Sequence, residues 1–346
     1  MTLRKRVNWK DAAEKLAAIF PRGRLHPAVV AWAESTGARR EWGIAFSGGA
    51  DSLAVLLLAW AHWPRRRGKL RALHFNHRLR GRASEADEKF CAHVCASLGI
   101  TFAKGAWRGA HRTASEAAAR AARLGFFEQH ARVVWLGHQQ DDIAETMMMR
   151  LARGSGSAGL AAPRPVQELP RGRVHLRPLL TIKKAELTAA LRASGATWRE
   201  DATNGLDDFF RNRIRRSVIP AWCRAAERDA LAGAARVREL LAEDDAALEQ
   251  RVDDLQSLAP DRSLLLKPLA GQPRAVVRRA LHRWLITQPL AGPLARQGFD
   301  VLLASVELGR PTRHSLGREG FAVIRRGVLR FERAGKAAAI FHGRAN

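Results

Sequence analysis

Residues 44–60 read IAFSGGADSLAVLLLAW, six small or polar residues held between two apolar runs. A buried strand, a glycine turn and a buried helix in that order open an α/β sheet, and this unit constrains the fold more than any other part of the chain. It places backbone N–H groups and a helix N-terminus at the carboxyl end of a strand, where anions bind well. Gly48 and Gly49 let a phosphate approach the backbone, Ala50 follows them, and Ser47 and Ser52 add hydroxyl donors. Asp51 would repel a bare phosphate, so its presence calls for a bridging cation such as Mg²⁺. The same residues would also make a plain glycine turn with Ser52 capping the helix. No G-x-x-x-x-G-K-[ST] loop occurs in the chain.

The alternation of short apolar strands with amphipathic helices continues on both sides of this unit. Strands are expected over Trp42–Phe46, Leu70–Asn76 and Val133–Gly137, and helices over Trp9–Phe20, Ser52–Trp63, Ser84–Ser97, Ser115–Gln129 and Asp141–Leu151. That pattern predicts a doubly wound parallel sheet covered on both faces. Residues 154–177 are rich in Gly, Pro and Arg and read as a working loop before a helix near Thr181. After Pro220 about 85 residues of Ala, Leu and Arg show no strand pattern, which marks a second, mainly helical domain. FAVIRRGVLRFER, near the end, reads as a hairpin with one basic face. The expected organisation is a helical extension over 1–35, an α/β catalytic domain over 36–222, a helical domain over 225–335 and a tail over 336–346.

A second constellation follows the third expected strand, in GHQQDDIAETMMMRLARGSG. At about 100° per residue, His138, Asp141, Asp142 and Glu145 fall within one arc of a helix. Three carboxylates so close need a cation, which a metal, an ammonium group or an Arg would supply. An acidic first turn complementing the helix dipole, with His138 as a cap, is the plainer reading of the same residues. Met147, Met148 and Met149 read as core packing. Arg120 and Arg123, at i and i+3, suit a phosphate or carboxylate clamp or plain solvation. Arg199, Arg211, Arg213, Arg215 and Arg216, set around Asn204 and Asn212 with Trp198, Phe209 and Phe210 interleaved, suit an RNA backbone and an unstacked base. A structural Arg–Asp network is the alternative there. His74 and His77 close the second expected strand, where a nucleotide base would sit in a doubly wound sheet.

Lys and Arg number 59 against 33 Asp and Glu, a formal net charge of +26 that draws polyanions, nucleic acid first among them. No apolar run reaches the roughly 18 residues of a membrane helix, and the basic N-terminus carries Asp11 and Glu14, unlike a signal or transit peptide. A cytoplasmic protein with no membrane partner is expected, as a monomer or homodimer. Cys91, Cys95 and Cys223 make an odd number without metal-site spacing, so buried, reduced thiols are expected.

SGGADS at 47–52 resembles the pyrophosphate loop of the N-type ATP pyrophosphatases, the PP-loop superfamily. Together with NHRLRGRASEAD at 76–87, GHQQDDIAET…RGSGSAGLAAP at 137–163 and RPLL…WREDATN…RNRIRRSVIP at 177–220, it is similar to the tRNA(Ile)-lysidine synthetase family. The resemblance implies ATP-dependent adenylation of C2 of the wobble cytidine in a CAU-anticodon tRNA(Ile), followed by attack of L-lysine to give lysidine, AMP and pyrophosphate. It implies ATP at Ser47, Gly48, Gly49, Ala50, Asp51 and Ser52, with His74 and His77 nearby and Mg²⁺ at Asp51. It implies lysine at Asp142, Glu145, Arg120 and Arg123, with Asp51, His138, Asp142 and Glu145 catalytic, and tRNA at Arg199, Asn204, Arg211, Asn212, Arg215 and Arg216. Phe75-Asn76-His77-Arg78-Leu79-Arg80 stands where the family more often has V-D-H-G-L-R, and Leu124 where it often has Tyr. The family's longer members carry a further C-terminal domain, and a compact form with acceptor-stem contacts from 225–335 is expected. A thiolation enzyme on the same scaffold, an RNA-independent amide ligase and an RNA-binding protein with a degenerate nucleotide site are the rival readings.

Overall fold

The computed structural model of the chain describes residues 7–37, 40–76, 82–107, 116–200, 210–290, 292 and 294–334. His77, Asn204 and the tail at 336–346 lie outside them. Two compact units divide at residue 242/243. The first opens with α1 (Trp9–Ile19), capped by Asn8, whose Oδ1 accepts the Asp11 N–H at 3.2 Å, and with α2 (Pro27–Ser35). Then come β1 (Trp42–Ala45), α3 (Ala50–His62), β2 (Leu70–Asn76), α4 (Arg82–Leu98), β3 (Thr101–Ala106), α5 (Glu116–His130), β4 (Val133–Trp135) and α6 (Gln140–Leu151). A short helix α7 (Ser157–Leu160), strands β5 (Val166–Leu169) and β6 (Arg173–Leu176), and α8 (Lys184–Ala193) follow. A four-residue α9 (Phe210–Arg213) runs into a π turn over Ile214–Val218 and then α10 (Ile219–Ala225).

The sheet order is β3-β2-β1-β4-β6-β5. All neighbours are parallel except β5 on β6, an antiparallel edge. The working loop expected at 154–177 therefore holds a hairpin, and β3 is a strand that periodicity did not mark. The chain winds from β1 out to β3 and returns to β4 on the other side of β1, so the switch point lies between the carboxyl ends of β1 and β4. On one face α1, α3, α4 and α8 pack over Trp42, Ile44 and Phe46; on the other, Phe126 and Phe127 of α5 cover Leu73 and Val134.

Helix α3 is apolar around most of its circumference because it is enclosed: Leu53, Leu56, Leu57 and Leu58 are at most 1% exposed. Each such leucine contributes roughly 2 kcal/mol of burial, so the turn in front of α3 is anchored to the best-packed element of the unit. Met147, Met148 and Met149 pack with Ile214, Ile219 and Trp222, as core rather than as a ligand set.

The second unit starts within α11 (Ala230–Asp254) and contains β7 (Leu264–Leu265), α12 (Arg274–Ile286), α13 (Arg296–Glu307), β8 (Thr312–Ser315), β9 (Gly320–Arg325) and β10 (Val328–Arg333). Its sheet runs β7-β10-β9-β8, and Trp284, Leu281, Leu302, Ile324 and Leu329 fill its core. The expected hairpin is β9–β10, closed by Arg326 (φ 51°) and Gly327 (φ 71°), the paired left-handed residues of a tight two-residue turn. Arg313, Arg325 and Arg330 are exposed on these strands.

Candidate active site

The turn between β1 and α3 is braced from within. Ser52 Oγ donates to the Gly49 carbonyl at 3.0 Å, accepts the Ser47 N–H at 3.2 Å and lies 3.0 Å from Ser47 Oγ. Gly49, not Ser52, is the helix cap. Gly48 has φ +91°, and a Cβ there would meet Cys91 Sγ at 3.2 Å, so only glycine suits the position. The first-turn N–H groups of Ala50 and Asp51 precede the helix ladder and have no acceptor within it, which leaves donors for an anion. Gly137, at the end of β4, closes in from the other side of the switch point: a Cβ on it would stand 2.8 Å from the Asp51 carbonyl carbon and 3.0 Å from the Ser52 nitrogen.

Asp51 finds its cation in the protein. Lys184 Nζ donates to Asp51 Oδ1 at 2.5 Å, while the Lys184 N–H donates to Asp141 Oδ2 at 2.9 Å. Burial pushes the Asp51 carboxyl above its ordinary value, and the Lys184 ammonium pulls it back. Lys184 thus joins the N-termini of α3, α6 and α8 at one point. Among the described residues no group of three or more His, Cys, Asp and Glu is arranged to hold a metal ion.

Helix α6 begins at Gln140, two residues after the His138 that the helical arc included. Gln139 is its cap: Gln139 Oε1 accepts the Asp141 N–H at 2.6 Å and Asp142 Oδ2 accepts the Gln139 N–H at 2.9 Å, a reciprocal capping box. His138 accordingly precedes the helix, and Asp141 turns to α8, leaving Asp142 and Glu145 as the paired carboxylates. They are 6% and 2% exposed. Arg211 donates to both, from Nε to Glu145 Oε2 at 2.7 Å and from Nη2 to Asp142 Oδ1 at 2.5 Å. Arg215, on the π turn, donates to Glu145 from Nε at 2.5 Å and from Nη2 at 3.0 Å. Two buried carboxylates are matched by two guanidiniums. Of the three cations that the sequence left open, arginine is the one the structure supplies.

His138 is half-buried, its Nδ1 3.2 Å from Arg177 Nε. Burial first, and then Arg177, Arg211, Arg120 and Arg123, push its pKa well below the ordinary histidine value. Arg120 is exposed and Arg123 half-buried on α5. His74 is buried, its Nδ1 2.9 Å from the Phe46 carbonyl oxygen, so it ties β2 to the end of β1. Arg199 sits with the glycine turn rather than with Arg211: its N–H donates to the Gly48 carbonyl at 2.9 Å and its Nε to Asp87 Oδ1 at 2.8 Å. Asn212 and Arg216 lie on α9 and the π turn, Arg216 exposed.

Residues 27–222 match the model of the PP-loop domain family, and the match contains every group described above. A tRNA(Ile)-lysidine synthase of Solibacter usitatus is 35% identical over 85% of this chain and 68% of its own length. The chain belongs to this family. Lysidine synthases of Geobacter sulfurreducens and Bacillus subtilis are 36% and 34% identical, over 74% and 75% of this chain and 56% and 54% of theirs. The chain therefore spans a little over half the length of these two curated relatives. Gly137, Gln139, Arg177 and Lys184 are the residues of this PP-loop site that sequence reasoning passed over. Gln139 acts on its own helix start, whereas Gly137, Arg177 and Lys184 act on partners reached through the fold, and only the RPLL run gave a local sign that its segment returns to the site.

Proposed function

We propose that this chain joins L-lysine to C2 of cytidine 34 in a CAU-anticodon tRNA(Ile), through an adenylated cytidine, releasing AMP and pyrophosphate. The observation that carries the reading is the buried Asp142–Glu145 pair, saturated with cations at the same switch point as a glycine turn built for phosphate. An ε-ammonium replaces a guanidinium there without changing the site's charge, so lysine exchanges with one arginine rather than adding a charge. Glu145, the less exposed carboxylate, is placed to take the proton that the amine loses on attack.

ATP fits the turn: Gly48 and Gly49 leave the space, and the N-terminus of α3 supplies the donors. Asp51 would hold Mg²⁺, which offsets charge on the departing pyrophosphate; with one protein carboxylate there, most other ligands would be phosphate oxygens and water. Lys184 is placed to add a second cation. Arg216, Asn212 and the freed arginine offer donors to the tRNA backbone. Against the thiolation alternative, Cys91 and Cys95 are buried and burial pushes both thiols up, Cys95 to about 12, while the half-buried Cys223 packs with Ile214 and Ile219.

Purified protein is expected to release pyrophosphate from ATP in the presence of the CAU tRNA and to incorporate labelled lysine into it. Absence of lysine incorporation overturns the reading. Asp51→Ala is expected to stop pyrophosphate release, whereas Glu145→Ala slows lysine incorporation more than adenylation; equal loss of both steps would remove this division of roles.

A further inference from the structure

Arg177, just beyond β6, is 5% exposed, a degree of burial at which a guanidinium is ordinarily matched by a carboxylate. Among the described residues its donors go only to neutral acceptors. Nη1 donates to the Arg164 carbonyl at 2.7 Å, Nη2 to Gln167 Oε1 at 2.9 Å and Nε to Nδ1 of His138 at 3.2 Å. Arginine has no lone pair to offer. The Nδ1 atom of His138 must therefore be the acceptor, and the ring's proton belongs on Nε2, which makes no other hydrogen bond among the described residues.

The charged form would set an N–H of His138 against an N–H of Arg177. The ionised groups that bear on the ring are Arg177, beyond β6, Arg211 of α9, and Arg120 and Arg123 of α5, all cationic; Asp142 and Glu145 are engaged by Arg211 and Arg215. A buried guanidinium spent on three neutral acceptors is poor economy for stability alone. It makes sense as a device that fixes the imidazole.

We propose that Arg177 is a positioning residue that holds His138 as its neutral Nε2–H tautomer, so that His138 donates a hydrogen bond to an acceptor oxygen of the ligand. Given the proposed lysine site, on which this assignment of the ligand rests, that oxygen belongs to the lysine carboxylate. The amine end is then held by Asp142 and Glu145 and the acid end by His138, with Arg120 and Arg123 adding positive potential. His138 contributes a donor and not a base, and a diamine lacking the carboxylate is discriminated against.

The test is nitrogen-15 NMR of the histidine side chains in the full chain, with His138 assigned by the signals lost in His138→Gln. The wild type is expected to show His138 protonated on Nε2 and unprotonated on Nδ1, with no titration around the ordinary histidine value of about 6.5. Lysine is expected to shift the Nε2 proton signal; 1,5-diaminopentane and ATP, which lack the carboxylate, are not. An Nδ1–H ring or a His138 that titrates at the ordinary histidine value in the wild type overturns the tautomer assignment without any variant being made, whatever the fate of lysine incorporation. A shift with ATP alone overturns the assignment of the ligand. In Arg177→Gln, His138 is expected to populate both tautomers and to take up a proton at a higher pH than in the wild type, still below the ordinary histidine value because its burial and Arg211, Arg120 and Arg123 remain. Its KM for lysine should rise about tenfold, the loss of one charge-assisted contact, with a smaller change in pyrophosphate release. An unchanged His138 spectrum in Arg177→Gln also overturns the proposal.

Discussion

At the scale of single residues, the site is built from positions whose meaning depends on what the fold places opposite them. Gly137 ends a strand in the sequence, and nothing local separates it from other strand-end glycines. Its role follows from the 2.8 Å that a Cβ would leave to the Asp51 backbone. Gly137→Ala must push the first turn of α3 off its position. The expected result is a fall in pyrophosphate release on the order of 10²-fold with a loss of about 1–3 kcal/mol of stability. Steady-state release and a denaturation curve check both; full activity with normal stability would show that the turn tolerates the shift. Asp142 and Glu145 were legible in outline, because carboxylates at i and i+3 demand a cation wherever they are buried. Which cation was not legible, since Arg211 lies 69 residues from Asp142 and the sequence before it has no periodicity. The segment read as an RNA surface supplies two arginines to the acidic pair and a third, Arg199, to the glycine turn.

At the scale of elements, strands β1, β2 and β4 and the helices after them were readable because each is a short, enclosed apolar run with clear punctuation. Strand β3 was not: TFAKGA mixes Lys and Gly into a half-exposed edge, where packing asks for little hydrophobicity. The β5–β6 hairpin was hidden for a related reason, since an edge pair tolerates Pro170 and Gly172 at its turn and Gln167, Glu168 and Arg173 in its strands. The start of α6 shows how two residues of register change chemistry. A helix begun at His138 would present three carboxylates; begun after Gln139, it sends Asp141 to α8 and keeps two. Gln139→Ala removes half of the capping box and is expected to cost about 1 kcal/mol. Because the frayed turn carries Asp142, lysine incorporation should fall further than pyrophosphate release does. A thermal melt with the two assays side by side distinguishes this from general destabilisation, which would lower both together.

At the scale of the whole molecule, a chain with formal charge +26 hides several histidines in surroundings that refuse a further proton. His26 and His175, 9% and 8% exposed, are each pushed down to about 4, first by burial and then by Arg238 and Arg177 respectively. His74 and His138 are lowered in the same sense. In the unfolded chain such a ring takes up its proton near pH 6.5. Between about 6.5 and 4 the unfolded state therefore binds more protons than the folded one, so stability rises with pH across that window and is lost as pH falls through it. For His26 and His175 the full difference amounts to roughly 3 kcal/mol each once the pH is below both values. Asp51 acts oppositely, since its raised pKa lets the folded state take a proton more readily, but it is one group against five histidines, His62 being lowered as well. Urea denaturation at successive pH values should show the midpoint falling from neutrality toward pH 4.5, and His175→Gln should flatten that slope while lowering the plateau near pH 7. An equal slope in the wild type and His175→Gln would mean that His175 is protonated in the folded protein, and that the arginines around β6 do not exclude charge as their positions require.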